Sequence, residues 1–96
     1  MSKGYLVVRV RVHDEDGFKK FLEMTKTLVE QYGGKYLVRG GIVELVEGDW
    51  NPKRIVVLEF PTMEKAKTWY NSAEYHDVKQ MRFESADTNL LFADGI

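Results

Sequence analysis

Two strand-forming runs of this chain each set one ionisable side chain among apolar neighbours: Arg39 in Leu37-Val38-Arg39-Gly40-Gly41 and Glu59 in Ile55-Val56-Val57-Leu58-Glu59-Phe60. A guanidinium and a carboxylate so placed have two uses. Paired with each other, they specify how packed strands register. Facing a pocket, they make a candidate catalytic pair, in which Arg39 holds an anionic or carbonyl oxygen and Glu59 orients that Arg or moves a proton. Taking a lone ion out of water costs several kcal/mol, against about 0–1 kcal/mol contributed by an exposed pair, so either use requires a partner or a wet pocket. The run Trp69-Tyr70-Asn71-Ser72-Ala73-Glu74-Tyr75 adds hydroxyls and rings. Trp69, Ser72 and Tyr75 are its candidate ligand-binding residues, although aromatics at helical spacing more often belong to a core.

Other chemistries find little support. His13 and His76 each precede an Asp, but His76 lacks a ligand three or four residues away on its own helix face, so no metal site is expected. As a general base, His76 has no evident orienting partner. No Gly-x-Ser-x-Gly occurs, and Gly33-Gly34 and Gly40-Gly41 lack dinucleotide-binding spacing, so no cofactor is expected. There are no cysteines, which excludes disulfides and thiolate chemistry. Fourteen basic against fifteen acidic residues leave a net charge of -1, with no general attraction to nucleic acid or anionic lipid.

The 96 residues suit one domain over residues 1–96, and 44% hydrophobic residues with 12% aromatics suit a packed core. Arg9 and Arg11 interrupt the apolar start too early for a secretory leader, and no run reaches the roughly 20 apolar residues of a membrane span, so the expected compartment is the cytoplasm. Gly4 to Val12 alternates with Val at every second position and predicts a strand. Asp14 or Asp16 can cap a helix carrying Phe18, Phe21, Leu22, Leu28, Val29 and Tyr32, which Gly33-Gly34 ends. Tyr36 to Val46 predicts a second strand, with Gly40-Gly41 as a bulge or bend within it. After a turn at Gly48–Pro52, Arg54 to Phe60 predicts a third strand. Thr62 caps a helix burying Met63, Ala66, Trp69, Tyr70 and Ala73. Ser72 can cap a further short helix through Tyr75, Val78 and Arg82, and Asn89 to Ala93 predicts the last strand. The class is α+β: a ferredoxin-like βαββαβ plait with an antiparallel sheet.

Such a plait carries its helices on one face. Alternation puts Val8, Val10, Val38, Val56, Leu58 and Phe60 beneath them, and Tyr5, Val7, Arg9, Leu37, Arg39, Ile55, Val57, Glu59 and Leu91 on the other. That second face is too apolar for open water, which predicts a homodimer packed sheet to sheet. Loop residue Trp50 would need cover from the partner or a pocket rim. RNA-recognition domains share the element order. Here the third strand has no stacking aromatics and carries an acid on its open face, so nucleic-acid binding is not expected.

Tyr32-Gly33-Gly34, Leu37-Val38-Arg39-Gly40-Gly41, Glu47-Gly48-Asp49-Trp50, Pro52, Arg54, Val56-Val57-Leu58-Glu59-Phe60-Pro61 and Trp69 through Tyr75 together resemble the family called domain of unknown function 1330. The likeness spans nearly the whole chain. It departs where the family shows Ser-Pro-Glu-Tyr, Ala73 standing in place of the Pro. The resemblance implies a dimeric α+β barrel, from a superfamily of cofactor-free oxygenases, dehydratases and isomerases that also has members without catalysis. Arg39, Glu59, Trp69, Ser72 and Tyr75 match its motif positions. It implies a small-molecule binder or enzyme with a polar site between sheet and helices. The alternative is a non-catalytic homodimeric module whose Arg/Glu pair only specifies the interface.

Overall fold

The computed structural model describes residues 2–96. Strand β1 (Gly4–Val12) leads to helix α1 (Glu15–Gln31), strands β2 (Lys35–Arg39) and β3 (Ile55–Phe60), helices α2 (Met63–Tyr70) and α3 (Ala73–Ser85), and strand β4 (Ala86–Asp94). The sheet order is β2-β3-β1-β4 and every pairing is antiparallel. This is the ferredoxin-like plait, with its second helical layer divided into α2 and α3.

The boundaries follow from short-range chemistry. Asp14, Thr62 and Ser72 take extended backbone and accept hydrogen bonds from Gly17, Lys65 and Tyr75 amides, so each satisfies a donor that its helix start would leave orphaned. Gly33, at φ +82°, turns the chain out of α1 in the left-handed conformation that a side chain disfavours. Where the family shows Pro, Ala73 is the first residue of α3, and Ser72 supplies its cap.

Alternation in β1 and β3 buries Leu6, Val8, Val10, Val56, Leu58 and Phe60. Against them pack Phe18, Phe21 and Val29 of α1, Ala66 and Trp69 of α2, and Tyr75 and Val78 of α3. All three helices lie on that side, giving a two-layer slab 33 × 33 × 16 Å whose other sheet face is open.

Several expectations require correction. The second strand does not run on to Val46: it ends at Arg39, because Gly40 adopts φ +72° and leaves the ladder after one last hydrogen bond to the Ile55 carbonyl at 3.1 Å. The irregularity expected at Gly40-Gly41 lies instead at Leu37, where Tyr36 pairs with Leu58 but Val38 already pairs with Val57. Residues paired across a ladder share a face, so this bulge puts Val38 on the open face and Arg39 on the helix side, the reverse of the alternation expected for both. Finally, the helix expected from the Ser72 cap through Arg82 runs on to Ser85, and β4 begins at Ala86, three residues before the expected Asn89.

Candidate functional site

The five expected site residues do not all come together: Arg39 and Glu59 lie apart from each other, on opposite faces of the sheet. Glu59 lies on the open face, where register opposes it to Tyr5 on one side and Lys35 on the other. The Tyr5 hydroxyl donates to Glu59 Oε2 at 2.9 Å, and Lys35 and Lys3 reach Oε1 at 3.3 and 3.4 Å. The Tyr5 hydrogen bond, chiefly, and the two lysines hold the Glu59 carboxyl below its ordinary value, against a smaller upward effect of desolvation. A general base working near neutrality needs the opposite shift. Arg39, on the other face and exposed, lies with its guanidinium 5.1 Å from the Tyr36 ring centroid. No Arg39–Glu59 pair exists.

Ser72 is committed to backbone. Its Oγ accepts from the Tyr75 amide at 3.2 Å and donates to the Trp69 carbonyl at 2.8 Å, tying the end of α2 to the start of α3. His76 is exposed. Among the described residues, no group of three His, Cys, Asp or Glu side chains is arranged to hold a metal ion.

Trp69 and Tyr75 do meet, ring centroids 4.3 Å apart, and both line a cavity between the sheet and the helices. Leu6, Val8, Val10, Val56 and Leu58 form its floor; Phe18, Phe21, Leu22 and Thr25 of α1 and Arg82 of α3 close it above, with Tyr36 and Leu90 also on its wall. Its free volume is about 30 Å³, room for two or three waters at about 10–15 Å³ each.

The walls are apolar, but three buried polar atoms on residues lining this cavity have no hydrogen-bond partner in the chain: Thr25 Oγ1, Trp69 Nε1 and Arg82 Nε. Arg82 is 5% exposed. Its Nη1 donates a long hydrogen bond, 3.4 Å, to the Tyr75 hydroxyl, and among the described residues it has no carboxylate partner. Leaving a buried polar group unpaired costs roughly 1–3 kcal/mol, and more for a charge. A guanidinium in such surroundings has its buried charge only partly compensated by the chain.

Burial pushes the Tyr75 phenol up to about 12, against the opposing pull of the Arg82 charge. Burial likewise raises Tyr36 to about 12, which Arg39 partly offsets. Both phenols therefore remain neutral donors across the physiological range. Arg82, Thr25 and Tyr36 were not among the site residues expected from sequence. For Arg82 the available signal was spacing: it stands seven residues after Tyr75, two helical turns along one face.

The family model described as Domain of unknown function (DUF1330) matches residues 3–96, and the chain belongs to that family. Among solved structures, a protein of unknown function from Rhodopseudomonas palustris matches with TM-score 0.81 at 14% identity, over 99% of this chain and 83% of the other. SnoaB, a cofactor-independent oxygenase from Streptomyces nogalater, matches with TM-score 0.71 at 11% identity, over 97% and 92%. A Nitrosomonas europaea protein provisionally named an antibiotic biosynthesis monooxygenase matches with TM-score 0.59 at 15% identity, over 100% and 99%. At these identities the likeness is one of fold. No curated protein gives a significant match. No described helix is long and apolar enough to cross a membrane.

Proposed function

We propose that this member of the family binds a small, mostly apolar molecule in the cavity between sheet and helices, with an anionic or carbonyl oxygen of that molecule directed at Arg82. The observation that carries this reading is the buried Arg82 guanidinium, without a carboxylate partner, on the wall of a cavity that two further orphaned donors also line. Tyr75 donates to the same oxygen, and Trp69 lays its ring along the ligand. Trp69 and Tyr75 keep the ligand-binding roles expected of them, whereas Arg82 replaces Arg39 as the oxygen-holding group. Glu59 and Ser72 take structural roles.

A ligand larger than two or three waters must widen a space of about 30 Å³. Leu22, Tyr36 and Leu90 are the half-buried residues of its wall. If the ligand is a phenol or enol, Arg82 stabilises its deprotonated form. That property fits cofactor-independent oxygenase chemistry, the activity named for the Streptomyces nogalater neighbour.

The open sheet face, bearing Val7, Ile55, Val57 and Leu91, is covered in this reading by the same face of a second copy, giving a homodimer with one cavity per protomer. Native mass spectrometry of gently purified protein tests both parts. We expect a dimer carrying a reproducible small adduct in the wild type and an empty dimer in Arg82→Ala. An adduct retained undiminished in Arg82→Ala would place the ligand elsewhere.

A further inference from the structure

Between Gly40 and Arg54 the chain leaves the sheet ladder, returning to a buried position at Pro52. The segment Gly41–Trp50 reads Gly-Ile-Val-Glu-Leu-Val-Glu-Gly-Asp-Trp, rich in the β-branched and aliphatic residues that favour strands. Yet among the described residues it joins no ladder, and residues 41–53 make no backbone hydrogen bond. Most of its apolar side chains stand in water, Val43 being half-buried: Ile42 is 104% exposed, Val46 84% and Trp50 62%. An apolar, strand-forming ribbon with an unpaired backbone is costly to leave uncovered.

The position of this arm and its charge say what covers it. Trp50 lines a shallow cavity of about 170 Å³ with Val7, Arg9, Asn89 and Leu91, so the arm borders the open sheet face. The arm carries Glu44, Glu47 and Asp49 and no basic residue. The open face carries Arg9 and Arg11 on β1, opposite Asn89 and Asp87 of β4. Arg9 donates to the neutral Asn89 amide oxygen, and Arg11 is exposed; neither forms an ion pair among the described residues, and neither do Glu44, Glu47 or Asp49. An apolar, acidic ribbon thus stands beside an apolar, arginine-bearing sheet on the same chain, the self-complementary arrangement that a two-fold dimer requires.

We infer that residues 41–50 form an exchange arm that lies on the open sheet face of a second copy of this chain, with Glu44 and Glu47 facing the partner's Arg9 and Arg11. The inference rests on the dimer proposed above and adds to it a reciprocal contact that specifies self-association.

Charge reversal on the full chain tests it. Glu44→Lys with Glu47→Lys reverses the arm; Arg9→Glu with Arg11→Glu reverses the face. Sedimentation equilibrium is expected to show each variant alone weakened at least about tenfold in dimer affinity, and an equimolar mixture restored to near the wild-type value. In the mixed dimer both arms meet a face of opposite charge, whereas in neither variant homodimer do they. Because Arg9 bonds Asn89, Arg11→Glu alone serves as a milder face variant, and thermal melts confirm that each chain is folded. A wild-type dimer that neither reversal weakens, or a mixture of folded variants that does not reassociate, would overturn the arm contact while leaving the cavity and the dimer. A monomeric wild type would overturn both arm and dimer, leaving only the cavity reading.

Discussion

The Arg82 guanidinium and the Tyr75 hydroxyl meet at 3.4 Å on the inner side of α3, two turns apart and both nearly sealed from water. The pair gives a buried charge one weak neutral acceptor and leaves Nε with none. In the proposed reading this arrangement serves a ligand at the expense of the empty protein's stability, and the consequences can be measured.

Arg82→Met removes a buried charge that has no compensating anion while keeping much of the side-chain volume. In ligand-free protein this change is expected to be neutral or stabilising by about 1–3 kcal/mol. For a chain of this size, each kcal/mol raises Tm by about 4–8 °C. The same variant is expected to lose the adduct. A clear fall in Tm, measured by calorimetry on ligand-free protein, would instead assign Arg82 a structural role.

Tyr75 predicts an alkaline limb. Its folded value, about 12, lies above the ordinary 10.0, so its neutral form contributes stability that is complete below pH 10 and is lost as pH rises towards 12. A shift of about two units corresponds to roughly 2–3 kcal/mol across that window. Denaturant unfolding at a series of pH values should show a steeper fall between pH 10 and 12 in the wild type than in Tyr75→Phe. Parallel slopes would contradict the burial of this phenol.

Glu59 gives the opposite sign at the acid end. Its carboxyl is held below the ordinary 4.5, first by Tyr5 and then by Lys35 and Lys3, so its contribution is present above that value and is lost as pH falls through the lowered one. Glu59→Gln should therefore flatten the acid limb of the stability curve and leave ligand retention and its pH profile between 5 and 8 unchanged. Loss of the adduct in Glu59→Gln would return Glu59 to the site.

Ser72→Ala removes the α3 cap together with the bond to the Trp69 carbonyl. A loss of about 1–2 kcal/mol is expected in chemical denaturation, with the ligand still bound. A variant of unchanged stability that no longer binds would restore Ser72 as a ligand contact.

What the sequence determined by itself was whatever chemistry closes over short range. The caps at Asp14, Thr62 and Ser72 each involve a side chain and an amide three residues on. The exit at Gly33 needs only the freedom of one residue. The alternation of β1 and β3 requires nothing beyond a period of two and water on one side. From these followed the element order, the plait and the core.

Which residues meet was settled only when the layers packed. One extra residue at Leu37 carried Arg39 to the opposite face from Glu59, and no local pattern announces a bulge that is defined by the partner strand. Glu59 found Tyr5 and Lys3 from 54 and 56 residues away, an encounter set by the β1–β3 register. Arg82 carries the same charge as the half-buried Lys79 one turn earlier. Its burial arises because α3 packs against α1, closing Thr25, Tyr75 and Arg82 over the sheet. A local pattern records what a residue prefers, whereas the site depends on contacts between distant segments, and those are made only when the whole layer packs.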